Sequence, residues 1–137
     1  MSQMSDYLED AIKEWFRGSA FPAATGSVYV ALYTATPTDA NASGTEVSGN
    51  AYARQALAKA AGSWTAGGAG SGQISNTAAI TFPAATPAGW GTITHFAIYD
   101  ALTTGNELLW GALTTSKAVG IGDVFQFAAG ALVITFA

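Results

Sequence analysis

The chain's one histidine, His95, limits the chemistry it can carry out. Acyl or glycosyl transfer by a nucleophile needs a base and a group to orient that base, and a single imidazole leaves little to build them from. His95 falls inside the alternating run Thr92 to Tyr99, where the register places it on one face with Ile93, Ala97 and Tyr99. That reads as a half-buried, hydrogen-bonded strand residue. Asp100, five residues on, reads as a strand-end turn residue rather than its catalytic partner. The absence of cysteine removes thiolate nucleophiles, disulfides and sulfur-ligated zinc together. None of the nine carboxylates follows calcium-loop spacing, and no two lie near enough in sequence to predict a glycosidase pair. The segment Gly67-Gly68-Ala69-Gly70-Ser71-Gly72 lacks the lysine and following helix of a phosphate-binding loop, so it reads as a flexible hairpin or linker. Glu46 and Arg54 are placed to form a fold-stabilising salt bridge across a loop. The reading assigns no catalytic, cofactor-binding or metal-ligating residue.

Interaction chemistry is better represented. Met4, Tyr7, Leu8, Ala11, Ile12, Trp15 and Phe16 recur at the spacing of an amphipathic helix. Ser5 is placed to cap its start, Asp6 suits the positive end of the helix dipole, Arg17 the negative end, and Gly18 the stop. Glu9 and Lys13 have the spacing of an i,i+4 pair. A helix this short is marginal alone, so its stripe must dock on the sandwich, on another subunit or on the assembly that carries it. Tyr7, Leu8, Trp15, Phe16 and Arg17 are therefore the candidate interface residues.

The period changes to two after Gly18. Val28, Val30 and Leu32 alternate along a first strand that ends at Thr36-Pro37-Thr38-Asp39, and Ala40 to Asn50 reads as a loop. Further strands are expected at Tyr52 to Leu57, Ala78 to Phe82, Gly91 to Tyr99, Glu107 to Leu113, Ala118 to Phe127 with a break near Gly120 to Asp123, and Leu132 to Phe136. Ala61 to Gly72 reads as a flexible connection. The expectation is a mainly β protein: a jelly-roll or Greek-key-like β-sandwich of seven or eight strands with an N-terminal amphipathic α-helix. Residues 1–18 would form the arm and 19–137 the sandwich.

Charged residues make up 10% of the chain, against about 25% in ordinary soluble domains, and six of the fourteen lie in the first 17 residues. Alanine, glycine and threonine together fill 61 of 137 positions. The surface beyond the helix must be small, neutral and smooth, which suits repeated contacts between subunits. A net charge of −4 argues against nucleic-acid binding. No apolar run is long enough to span a bilayer, and the acidic N-terminus is unlike a signal peptide, so synthesis in the cytoplasm without a membrane partner is expected.

Several short segments occur together in one order: Trp15-Phe16-Arg17-Gly18, Val30-Ala31-Leu32-Tyr33-Thr34 before Pro37-Thr38-Asp39, and Gly44-Thr45-Glu46-Val47 before Tyr52-Ala53-Arg54-Gln55. Ser75-Asn76, Ile80-Thr81-Phe82-Pro83, Trp90-Gly91-Thr92-Ile93-Thr94-His95 and Tyr99-Asp100-Ala101 before Gly105-Asn106 follow. From about Leu8 to the C-terminus the chain resembles a family of small tailed-phage virion proteins often labelled tail fibre protein. The resemblance implies a virion structural protein. By analogy with jelly-roll cement and decoration proteins, the leading expectation is a capsid cement protein on the outer surface of the head, bound to the major capsid protein and to copies of itself, three favoured over two. The alternatives are a tail fibre or baseplate component contacting the host, and a carbohydrate-binding domain built on some of the 16 aromatics. No enzymatic activity and no cofactor is expected.

Overall fold

A computed structural model describes residues 2–23, 26–40 and 43–136. In chain order the elements are β1 (Ser2–Met4), α1 (Asp6–Phe16), β2 (Ser27–Ala35), β3 (Thr45–Glu46), β4 (Gln55–Ala58) and β5 (Trp64–Ala66). They continue with β6 (Gln73–Asn76), β7 (Ile80–Thr81), β8 (Gly91–Tyr99), β9 (Glu107–Val119), β10 (Gln126–Phe127) and β11 (Val133–Thr135). The largest sheet has the order β1-β9-β8-β2-β3, and β4 shares the β3 edge of β2, opposite Ser27 to Val30. Two small sheets, β10-β7 and β11-β6-β5, complete the strands, and every pairing is antiparallel. The chain leaves β2, builds the smaller sheets and returns as β8 beside β2, a Greek-key-like excursion.

Alternation decides which side of the large sheet is dry. Val28, Val30 and Leu32 from β2, Phe96 and Ile98 from β8 and Leu109 from β9 pack against Ile80, Phe127 and Ile134 from the small sheets. Phe82, Trp90, Phe125 and Leu132 fill the space between, with Phe125 5.1 Å from Phe127 and 5.8 Å from Phe82 in edge-to-face contacts. Each such side chain contributes about 1.5–3 kcal/mol by leaving water, so the core lies between the layers of a β-sandwich. Buried Asn76 ties the layers at their polar seam: its amide nitrogen donates to Ala78 O and Ala128 O, and its oxygen accepts from Leu132 N.

The structure departs from the sequence expectation at several elements. Eleven strands are described rather than seven or eight: β1, β3, β5 and β6 fall outside the expected strands, each having only two to four residues and no readable period. Tyr52 to Leu57 becomes β4 at Gln55–Ala58; β3 lies in the expected loop, whose residues 41 and 42 fall outside the described residues, and β5 in the expected flexible connection. Glu107 to Val119 is one continuous strand, β9, with a bulge where Thr94 alone faces Leu113 to Ser116. That bulge breaks the alternation in β8, so Ile93 joins the inner core with Phe96 and Ile98 instead of sharing a face with Ala97 and Tyr99. In the helix, Lys13 pairs with Asp10 rather than Glu9, and Arg17 pairs with Glu14 at 3.4 Å, both at i,i+3. A strand, β1, precedes the helix and pairs with β9 at Leu109 to Gly111.

Candidate interaction surface

The helix forms where its sequence signals place it. Ser5 is the N-cap: its Oγ accepts from Leu8 N, and it reaches the carbonyl oxygens of Glu107 and Leu108. Ser5 N also donates to Leu108 O, and Asp6 N donates to Asp39 O, so the first turn is fixed to the edge of the large sheet. Arg17 is the C-cap, and Gly18 follows at φ +94°, the left-handed conformation that ends the helix without a side-chain clash.

Beyond that anchored turn α1 stays over the sandwich as far as Ile12, and none of its residues is buried. Tyr7, Leu8 and Ile12 are half-buried and roof an apolar groove of about 460 Å³. Its floor is made by Val28, Ile98 and Leu109 at the ends of β2, β8 and β9, with Ile134 and Phe136 closing one side. Trp15 and Phe16 continue the stripe past the sandwich, 54% and 79% exposed, with ring centroids 5.0 Å apart. Phe21 and Phe136, each 46% exposed, lie on the rim. The five expected interface residues lie on the helix and its C-cap: Tyr7 and Leu8 line the groove, Trp15 lines a shallow hollow beside it with Ile12 and Phe21, Phe16 projects next to Trp15, and Arg17 is exposed and held by Glu14.

The sequence reading did not find the polar cluster on the other face of the large sheet. Tyr33 faces His95 and Tyr99 faces Tyr29 in the β2–β8 register, with the small pair Ala31 and Ala97 between, and the two tyrosine hydroxyls meet over that gap 2.6 Å apart; Tyr99 donates to Glu107 Oε2 at 3.1 Å. Arg54 lies flat on the Tyr99 ring, 3.6 Å from its centroid. Its Nε and Nη2 bond the two oxygens of Glu46 at 2.8 and 2.7 Å, and its Nη1 reaches Ala101 O and Thr104 O. Tyr52 donates to Glu46 Oε1 and accepts from Leu32 N. Burial pushes the Tyr33 and Tyr52 hydroxyls well above the usual phenol range and Tyr99 up to about 12. Burial also raises Glu107 to about 7, aided by the carboxylates of Asp39 and Glu46 and opposed by the Tyr99 hydrogen bond and Arg54. The guanidinium is consumed by protein acceptors, so the cluster fastens the 101–104 loop to β3 and β4. The Glu46–Arg54 bridge was legible; Glu107 and the two tyrosines come together only through strand register.

The remaining chemical candidates take ordinary places. His95 is half-buried on β8, its Nδ1 2.8 Å from Thr94 Oγ1, and burial lowers its pKa. Asp100 closes the β8–β9 turn by accepting from Asn106 N and Nδ2. In that turn Gly105, at φ +74°, has no room for a Cβ, which would stand 2.5 Å from Asp100 Oδ1. The glycine segment is the β5–β6 hairpin, closed by Gly67 N to Gln73 O. Among the described residues no three histidines, aspartates or glutamates gather where they would hold a metal ion, and no helix is long and apolar enough to cross a membrane.

A family model described as podophage GP4 fiber I protein gp80 matches residues 3–135. The chain belongs to that family. Membership makes it a structural protein of the tailed-phage virion, in keeping with the resemblance carried by its short motifs. The match takes in both the helix and the sandwich, so the exposed apolar stripe lies within the family's domain. None of the curated proteins matches the chain.

Proposed function

We propose that this protein is a non-enzymatic building block of a phage tail fibre, attached to its neighbours through the α1 end of the sandwich. The observation that carries this reading is the match to a fibre family over residues 3–135. The geometry supports it in kind. The histidine and the carboxylates of the sandwich are spent on turns and internal bonds, while the most exposed large aromatics sit together on one helix. A module of this sort works by shape and apolar contact.

The capsid-cement reading, with the major capsid protein as partner on the outer surface of the head, is favoured by one observation: the near-uncharged composition that suits repeated lattice contacts. Immunogold labelling or cryo-EM of intact particles separates the two. Density or label confined to the tail supports the fibre assignment, and uniform coverage of the head overturns it.

A further inference from the structure

The helix raises a question of surface. The chain exposes 7126 Å², against about 6,700 Å² expected for a compact monomer of its mass. Much of the exposed apolar surface is at α1. Trp15, Phe16, Phe21 and Phe136 are 54%, 79%, 46% and 46% exposed, which at roughly 200 Å² per aromatic side chain leaves about 450 Å² of aromatic surface in one patch. The half-buried Tyr7, Leu8 and Ile12 extend it toward the roughly 800 Å² per partner of a standard interface.

The patch also carries both halves of a fit. A symmetric contact requires one surface to present a projection and the recess that receives it. Here Trp15 and Phe16 project from the C-terminal end of α1, and the groove opens under Tyr7 and Leu8 at its N-terminal end. Two copies of the helix laid antiparallel about Ala11 and Ile12 place Trp15 and Phe16 of each beside Tyr7 and Leu8 of the other. Ala11, at the midpoint, is small enough to let the axes approach. The 100° step per residue puts Asp6, Asp10, Lys13 and Arg17 on the far side of the helix and Glu9 and Glu14 at the two margins of the stripe, so the charges ring the contact rather than enter it.

We propose that the α1 face is the contact between two copies of this chain, paired across a two-fold axis with the Trp15 and Phe16 rings of each copy seated at the groove of the other. Self-complementarity favours two copies over the three expected from the sequence, and the pairing holds for a tail or a head location alike, so particle labelling and this contact are tested separately.

Sedimentation of the full chain across low to high micromolar concentration tests it. The wild-type chain is expected to run as a dimer, and Trp15→Ala with Phe16→Ala is expected to weaken the dimer at least tenfold. Ala11→Arg, which places a long charged side chain at the midpoint, is expected to do the same. Because these positions are exposed or half-buried, urea unfolding of each variant should match wild type and so separate lost pairing from lost folding. A wild-type monomer at high micromolar concentration overturns the proposal, as does a dimer that both variants leave intact. A trimer dissolved by the same variants overturns the two-fold arrangement.

Discussion

Arg54 gathers three parts of the chain on one guanidinium: β3 through Glu46, the 101–104 loop through two carbonyls, and β8 through the face of Tyr99. Its side chain is 8% exposed, so removing it strands a carboxylate and two carbonyl oxygens in a poorly solvated place. Arg54→Leu is expected to lower the unfolding free energy by about 3 kcal/mol, read from urea titration, the low end for a buried pair because Glu46 keeps some contact with water. Glu107 predicts a pH dependence of the opposite sense from an ordinary carboxylate. Its folded pKa, about 7, lies above the unfolded value near 4.5, so the native state holds the proton more tightly. Stability is then greatest below about pH 4.5 and falls as pH rises through 7, by at most about 3 kcal/mol from this group. Urea midpoints at pH 5 and pH 8 should differ in that direction for the wild-type chain, and Glu107→Gln should reduce the difference; equal slopes in the two proteins would show that Glu107 titrates normally. The Glu46–Arg54 pair was visible in sequence because eight residues flank one turn. Glu107 was not, because what raises its pKa is the register of β8 against β9.

At the scale of elements, the helix and most strands announced themselves, down to the short β7 and β11, while β1, β3, β5 and β6 did not. Val28, Val30 and Leu32 against Tyr29, Ala31 and Tyr33 is a period-two pattern long enough to read. Ser2–Met4 is not, since three residues cannot establish a period and Met4 also falls in step with the helical stripe. Yet β1 determines what α1 can do. Paired to β9 and followed at once by the buried Ser5, it fixes the start of the helix and leaves the far end to project. Ser5→Ala removes the cap and the bonds to the 107 and 108 carbonyls, and should cost about 1–2 kcal/mol in urea titration. Loss of helix signal in far-ultraviolet circular dichroism with the β signal retained would place the effect in α1; a loss within error of zero would show that β1 alone holds the arm.

Over the whole molecule, charge is concentrated at one end and the sandwich is left nearly neutral, with eight charged residues after position 17, each of which bonds another part of the chain. Composition alone announced that neutrality. Which end would be apolar was settled by where β2 and β9 begin and β8 and β11 stop, a tertiary fact. One clasp described by β1 and β11 reaches further. Ser2 Oγ donates to Thr135 O, and Thr135 N donates back to Ser2 Oγ, joining positions 133 residues apart. The order in which the strands are threaded is therefore separable from their arrangement. A circular permutant, with Phe136 linked to Ser2 through a few glycines and serines and new ends cut in the exposed Gly68–Ser71 turn, should melt cooperatively with a midpoint near that of the parent. Its two free ends would emerge at the β5–β6 hairpin, so a peptide fused there would be displayed without adding a chain end beside the helix.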